Sequence, residues 1–173
     1  MLKQHGVDRI EDLPVNFKGL VSLEGERQST ELFNRYAAAA FARQQQQNAL
    51  VDRFAWVAPT LALRRLSMAA SGTDLESFER FLAQGEQYRY DLVQGLNKLH
   101  AEAMRYADDS NPRERKRISH THWQAFPAFD YQAAPLAETL GRAAPAGLVL
   151  LLWLVALTGL AWRAANRLER NLR

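Results

Sequence analysis

The chain of 173 residues contains no cysteine, which removes disulfides, thiol catalysis and cysteine-based zinc sites together. It has no internal repeat, no phosphate-binding glycine loop, no nucleophile elbow and no HExxH motif, so nothing in it points to an enzyme or to a bound cofactor. Charge imbalance is also missing from most of its length. Residues 1 to 142 hold 18 Lys and Arg against 18 Asp and Glu, and the net charge of +3 belongs entirely to the last 11 residues. A basic, aromatic-interleaved face for nucleic acid is therefore not expected. Met1 to Pro14 (MLKQHGVDRIEDLP) carries neither a charged-then-apolar leader nor a membrane span.

What the chain does have is an uncharged run of 20 residues, Ala143 to Trp162 (AAPAGLVLLLWLVALTGLAW), followed by RAANRLERNLR. A hydrocarbon core of about 30 Å needs about 20 apolar residues in a helix, so the run predicts one transmembrane helix. Trp153 and Trp162 are candidates for packing or interfacial anchoring, and Arg163 and Arg167 open the basic flank. Arg163, Arg167, Arg170 and Arg173 face Glu169 alone in that tail. Positive flanks stay on the cytoplasmic side, which puts the tail inside, the larger N-terminal part outside, and the lipid bilayer among the partners. With no leader of its own, such a domain is expected to be the C-terminal piece of a longer polytopic membrane protein.

The part outside the membrane reads as all-α. Apolar positions from Phe17 to Val57 recur at helical spacing, interrupted around Glu24 to Ser29 and ended by Pro59. Pro59 opens a short helix that Ser71-Gly72 stops. Thr73 and Glu76 have capping-box spacing, and a third helix follows on Leu75, Phe78, Leu82, Tyr88, Leu92, Leu96, Leu99 and Tyr106. The two long helices predict an antiparallel hairpin with Phe41, Phe54, Leu92 and Leu96 buried. Asp108 to Ser119 reads as a surface loop, Thr121 to Phe126 as a short helical turn, and Pro135 as the start of the final helix. The expected organisation is a helical extracytoplasmic domain over 1–140, a transmembrane helix over 141–162 and a basic cytoplasmic tail over 163–173.

His120 and His122 sit two apart without a third ligand, and the polar run around Ser119 and Thr121 reads as a helix cap. The basic residues Arg113, Arg115, Lys116 and Arg117 read as a solvated loop. Asp108, Asp109, Asp74 and Glu76 read as loop and cap residues, not as an acid/base pair. No metal site is expected.

Three stretches resemble a known family: GVDRIEDLPVNFKGL at Gly6 to Leu20, ALRRLSMAASGTDLESFERFLAQGEQYRY at Ala62 to Tyr90, and WQAFPAFDYQAAP at Trp123 to Pro135. They are similar to the C-terminal domain of unknown function of bacterial ABC-2-type transporter permeases. The resemblance implies a permease subunit in the bacterial inner membrane, working with a separate cytoplasmic ATP-hydrolysing subunit to export a substrate, and it leaves a permease dimer open. It carries over no catalytic or substrate-contacting residue. The aromatic stretch, with Trp123, Phe126, Phe129 and Tyr131, is the candidate coupling between the outer domain and the last span. The alternatives are a single-span anchored interaction module, whose helical hairpin binds a protein, and an extracytoplasmic ligand sensor.

Overall fold

The computed structural model describes residues 6–110 and 117–171. A 3₁₀ turn at Ile10–Asp12 precedes α1 (Phe17–Phe54), α2 (Pro59–Ser71), α3 (Leu75–Ala103) and α4 (Tyr106–Ser110); a second 3₁₀ turn at His120–Ala125 precedes α5 (Leu136–Asn171). Among the described residues there is no strand, and the all-α expectation holds. Two compact units divide the chain, one of Met1–Ala38 with Ala83–Tyr131 and one of Ala39–Leu82 with Gln132–Arg173.

In the first unit, α1 and α3 run antiparallel. Gly19 lies against the backbone of Ala101, the Gln94 side-chain amide donates to the Leu23 carbonyl at 3.0 Å, and Arg89 reaches Glu26 and Thr30 at 2.7 and 3.1 Å. Glu24 to Ser29 does not break α1. Arg27 bonds Glu24 and Glu31 one turn to either side, at 2.7 and 3.2 Å, while Glu26 faces α3, so the polar stretch is held by i,i+3 and i,i+4 pairs.

The ends of α1 and α3 are tied by Asn16, which is fully buried. Its carboxamide oxygen accepts the Lys18 N–H at 2.9 Å and caps α1, while its own N–H donates to the Ala101 carbonyl at 2.8 Å in the last turn of α3. With the Asn16 side chain also donating to the Arg105 carbonyl at 3.4 Å, α3 stops at Ala103, short of the expected Tyr106. Tyr106 to Ser110, expected in part as loop, forms α4. Leu96 is 37% exposed, so the core face on α3 is not the one predicted; Leu92 is half-buried.

In the second unit, Phe41 meets Phe78 edge-to-face with centroids 6.1 Å apart, and Gln45 donates to Glu79 at 2.8 Å. Pro59 excludes a helical conformation at Ala58, which is extended, and the chain turns there into α2. Phe54, expected in the core, is exposed at that turn, because the helix ends before a partner can cover it. α2 closes in a Schellman arrangement: Gly72 is left-handed at φ 67°, its N–H donates to Ala69, and the Thr73 N–H donates to Met68 at 2.9 Å.

The capping box at Thr73 and Glu76 does not form. Asp74, one residue later, caps α3 by accepting the Ser77 N–H at 3.0 Å. Thr73 instead pairs its hydroxyl with that of Ser71 at 2.8 Å, and Glu76 turns to Arg65 of α2. The core of this unit joins α2 and α5 through Ala55, Ala62, Ala146 and Val149, flanked by Leu61, Leu66, Leu150 and Trp153. Small side chains at the centre let the helices approach closely, and the larger ones seal the edges.

Candidate membrane-anchoring site

α5 is long and apolar enough to cross a membrane, and 17% of its most apolar stretch is buried within the protein. The core helix of a soluble protein of this length would be mostly buried. Leu148, Leu151, Leu152, Leu154, Val155, Leu157 and Leu160 are all exposed on it. Pro135 starts the helix as expected, its carbonyl accepting the N–H groups of Glu138 and Thr139 at 3.0 and 3.1 Å.

The charges at the foot of the apolar run are held by the second unit. Glu138 accepts two bonds from Arg80, at 2.6 and 2.7 Å. Arg142, the last charge before the run, is mostly buried; its Nη2 donates to the Ser77 hydroxyl at 3.5 Å and its Nη1 lies 3.6 Å from Oδ2 of the fully buried Asp74. Asp74 Oδ2 and Arg142 Nε and Nη1 are otherwise without hydrogen-bond partners. The pair thus rests on charge attraction in a poorly solvated place, where an unpaired ion would be costly. Beside it, Arg65 hydrogen-bonds Glu76, which holds the Glu76 carboxyl below its ordinary range and raises the guanidinium. A cavity of about 260 Å³ opens between these arginines and Trp56, Pro145, Ala146 and Val149.

Trp153 donates its indole N–H to the Trp56 carbonyl at 3.0 Å, so it is half-buried against the turn between α1 and α2, halfway along the run. Trp162 is 71% exposed at the far end, and Arg163 and Arg167 are exposed after it. The aromatic stretch belongs to the first unit. Phe126 rests on Gly95, where a Cβ would collide with its ring, and Phe129 lies 5.4 Å from the Tyr88 ring. Tyr131 is partly exposed, and the side chain of Trp123 lies outside the described part.

Sequence reasoning missed a polar cluster in the first unit. Lys18 pairs with Asp109 at 3.1 Å and sits 5.5 Å from the centre of the Tyr106 ring, while His100 lies 3.5 Å from both Asp109 and Asn16. Lys18 holds the Asp109 carboxyl below its ordinary range. The one available signal was Asn16 directly before the apolar start of α1. Asp108 and Asp109 are thus helix residues; Arg113, Arg115 and Lys116 lie outside the described residues, and Arg117 is exposed. His120 and His122 are exposed in the 3₁₀ turn, and among the described residues no group of three or more His, Asp or Glu is placed to hold a metal ion.

These features define an all-α protein that carries, among the described residues, one membrane-span candidate. Residues 1–132 match the model of the family described as Domain of unknown function (DUF3526), and the chain belongs to that family. The matched segment ends just before α5. No curated protein and no solved structure matches the chain.

Proposed function

We propose that this chain is part of an ABC-2-type permease, the membrane component of an ATP-driven exporter. In this reading α5 crosses the bacterial inner membrane, the helical domain lies on the extracytoplasmic side, and the arginine tail is cytoplasmic. ATP hydrolysis resides in a separate subunit that engages other parts of the permease. The observation that carries the reading is the order of parts: a domain of the DUF3526 family directly followed by one exposed apolar helix and a tail of four arginines. The three motif stretches that resemble the permease family all fall within or at the edge of the matched segment.

Topology is the direct test. A reporter active only outside the cytoplasm should work when inserted after Asn111 of the full-length protein and fail when fused after Arg173. The reverse pattern refutes the orientation and the transporter reading with it. Reversing the charge of Arg163, Arg167 and Arg170 should weaken the orientation preference and leave the helical signal unchanged.

A further inference from the structure

The turn between α1 and α2 carries an uncharged, largely apolar stretch of its own, apart from the apolar run of α5. Phe54 to Leu63 reads FAWVAPTLAL, ten residues without a charge between Arg53 and Arg64. Of its five large apolar side chains only Leu61 is partly buried against the core; Phe54 is 60% exposed, Trp56 57%, Val57 77% and Leu63 57%. The small ones, Ala55 and Ala62, are buried against α5. A water-facing helix turn would show the opposite distribution.

The contact with α5 fixes where this turn sits along the apolar run. Trp56 is bonded to Trp153 and shares an apolar hollow with Val149, Leu152 and Ala156, whereas Arg65 lies beside Arg142 and Pro145. α2 therefore runs antiparallel to α5, with its charged end level with the last charges before the run. Trp153 is ten residues beyond Ala143, about 15 Å along the helix at 1.5 Å per residue, which is the mid-depth of a hydrocarbon core of about 30 Å.

The backbone at the turn meets part of what the same medium requires. In hydrocarbon every N–H and C=O has to be met within the protein. Ala55 donates to Asp52, Val57 and Ala58 both donate to Phe54, Leu61 donates to Ala58, and Pro59 has no N–H to satisfy. The Trp56 carbonyl, left over at the end of α1, takes the Trp153 indole. Arg53 and Arg64 flank the stretch with long stems that can carry their charges back toward the headgroups.

We propose that Phe54–Leu63 is a re-entrant wedge, embedded among the lipid acyl chains of the leaflet that holds the first half of α5. The proposal rests on the reading that α5 crosses the membrane. It gives the protein a second membrane element that a hydropathy search for complete spans does not find, since ten residues are too few to cross. The partner is the lipid hydrocarbon itself, because the exposed face is continuous with the exposed leucines of α5 and ends in arginines on both sides.

The absence of cysteine makes the test simple. Single-cysteine variants Val57→Cys and Leu63→Cys, with Leu154→Cys in α5 and Asn34→Cys on α1 as references, are labelled with an environment-sensitive fluorophore in the full chain. They are then reconstituted in phosphatidylcholine–phosphatidylglycerol vesicles. Lipids brominated on their acyl chains should quench the labels at 57 and 63 several-fold more than the label at 34, approaching the quenching at 154. Quenching at 154 with positions 57 and 63 behaving like 34 overturns the wedge and leaves the span intact. Quenching at none of the four positions removes the span, and the wedge with it. If the labels at 57 and 63 are shielded from brominated lipid and from aqueous iodide alike, protein covers the face, a second copy being one source, and the lipid assignment is overturned.

Discussion

Gly19 and Gly25 lie two turns apart on α1, and their surroundings set opposite expectations. A Cβ on Gly19 would stand 2.6 Å from the Ala101 backbone nitrogen, and that backbone is fixed by its bond to Asn16. Overpacking of this kind costs about 1–3 kcal/mol, against a helix-propensity gain of about 1 kcal/mol for alanine over glycine, so Gly19→Ala should lower stability. Nothing lies within 4 Å of a Cβ on Gly25, and Gly25→Ala should raise stability by up to about 1 kcal/mol. Thermal unfolding of the two variants in detergent, followed by circular dichroism, decides the sign in each case. Asp74 offers a second contrast. Asp74→Ala removes the cap of α3, worth about 0.5–2 kcal/mol, and also strands the buried Arg142, so its cost should exceed that range. Thr73→Ala should be close to neutral, and a large loss there would restore Thr73 as the cap.

At the scale of helices, carboxylates of α1 and α3 are held by arginines from a neighbouring element. The hydrogen bond from Arg89 is the largest influence on Glu26 and that from Arg65 on Glu76, and both carboxyls lie below their ordinary value of 4.5. A depressed folded value means that the stabilisation is complete above about pH 4.5 and fades as pH falls through the folded values. Unfolding followed from pH 7 to pH 3 should show stability falling at the acid end, and Glu76→Gln should be less stable at pH 7 with a smaller acid loss. An acid loss unchanged in Glu76→Gln would take Glu76 out of that account. The Arg27 and Glu24 pair, although it draws the Glu24 carboxyl to about 2, is exposed to solvent screening and should add little. Helix ends were readable wherever one residue's own backbone decides them, at Pro59, Gly72 and Pro135. They were not readable where a distant partner decides. Thr73-x-x-Glu76 and Asp74-x-x-Ser77 both fit a cap, and only Arg65 on α2, by taking Glu76, selects the second. Periodicity gave the helices themselves, but not which side of Phe54 or Leu96 meets another helix. The apolar run was evident from composition; the place of Trp153 against the Trp56 carbonyl needed the fold.

On the scale of the whole molecule, the proposed permease has to pass work between a cytoplasmic ATPase and a domain on the far side of the membrane. The 11 residues after Trp162 are too few to dock that ATPase, since stable interfaces bury about 800 Å² per partner. This chain alone should therefore neither bind the ATPase subunit nor alter its hydrolysis, while the full-length permease should do both; robust binding by the 173 residues alone would overturn the assignment. What the chain can contribute is mechanical continuity. Phe126 is seated on Gly95 and Phe129 against Tyr88, so the aromatic stretch is fastened to α3, and only Gln132 to Pro135 separate its end at Tyr131 from the start of α5. A movement of α5 along its axis would be felt by such a short link, whereas a stretch released from α3 would absorb it. The double variant Phe126→Ala and Phe129→Ala in the full-length permease should thus reduce export and leave ATPase co-purification intact. Export at the wild-type level in that variant would show that the stretch transmits nothing, and loss of ATPase association would show instead that the substitutions disturb the permease as a whole.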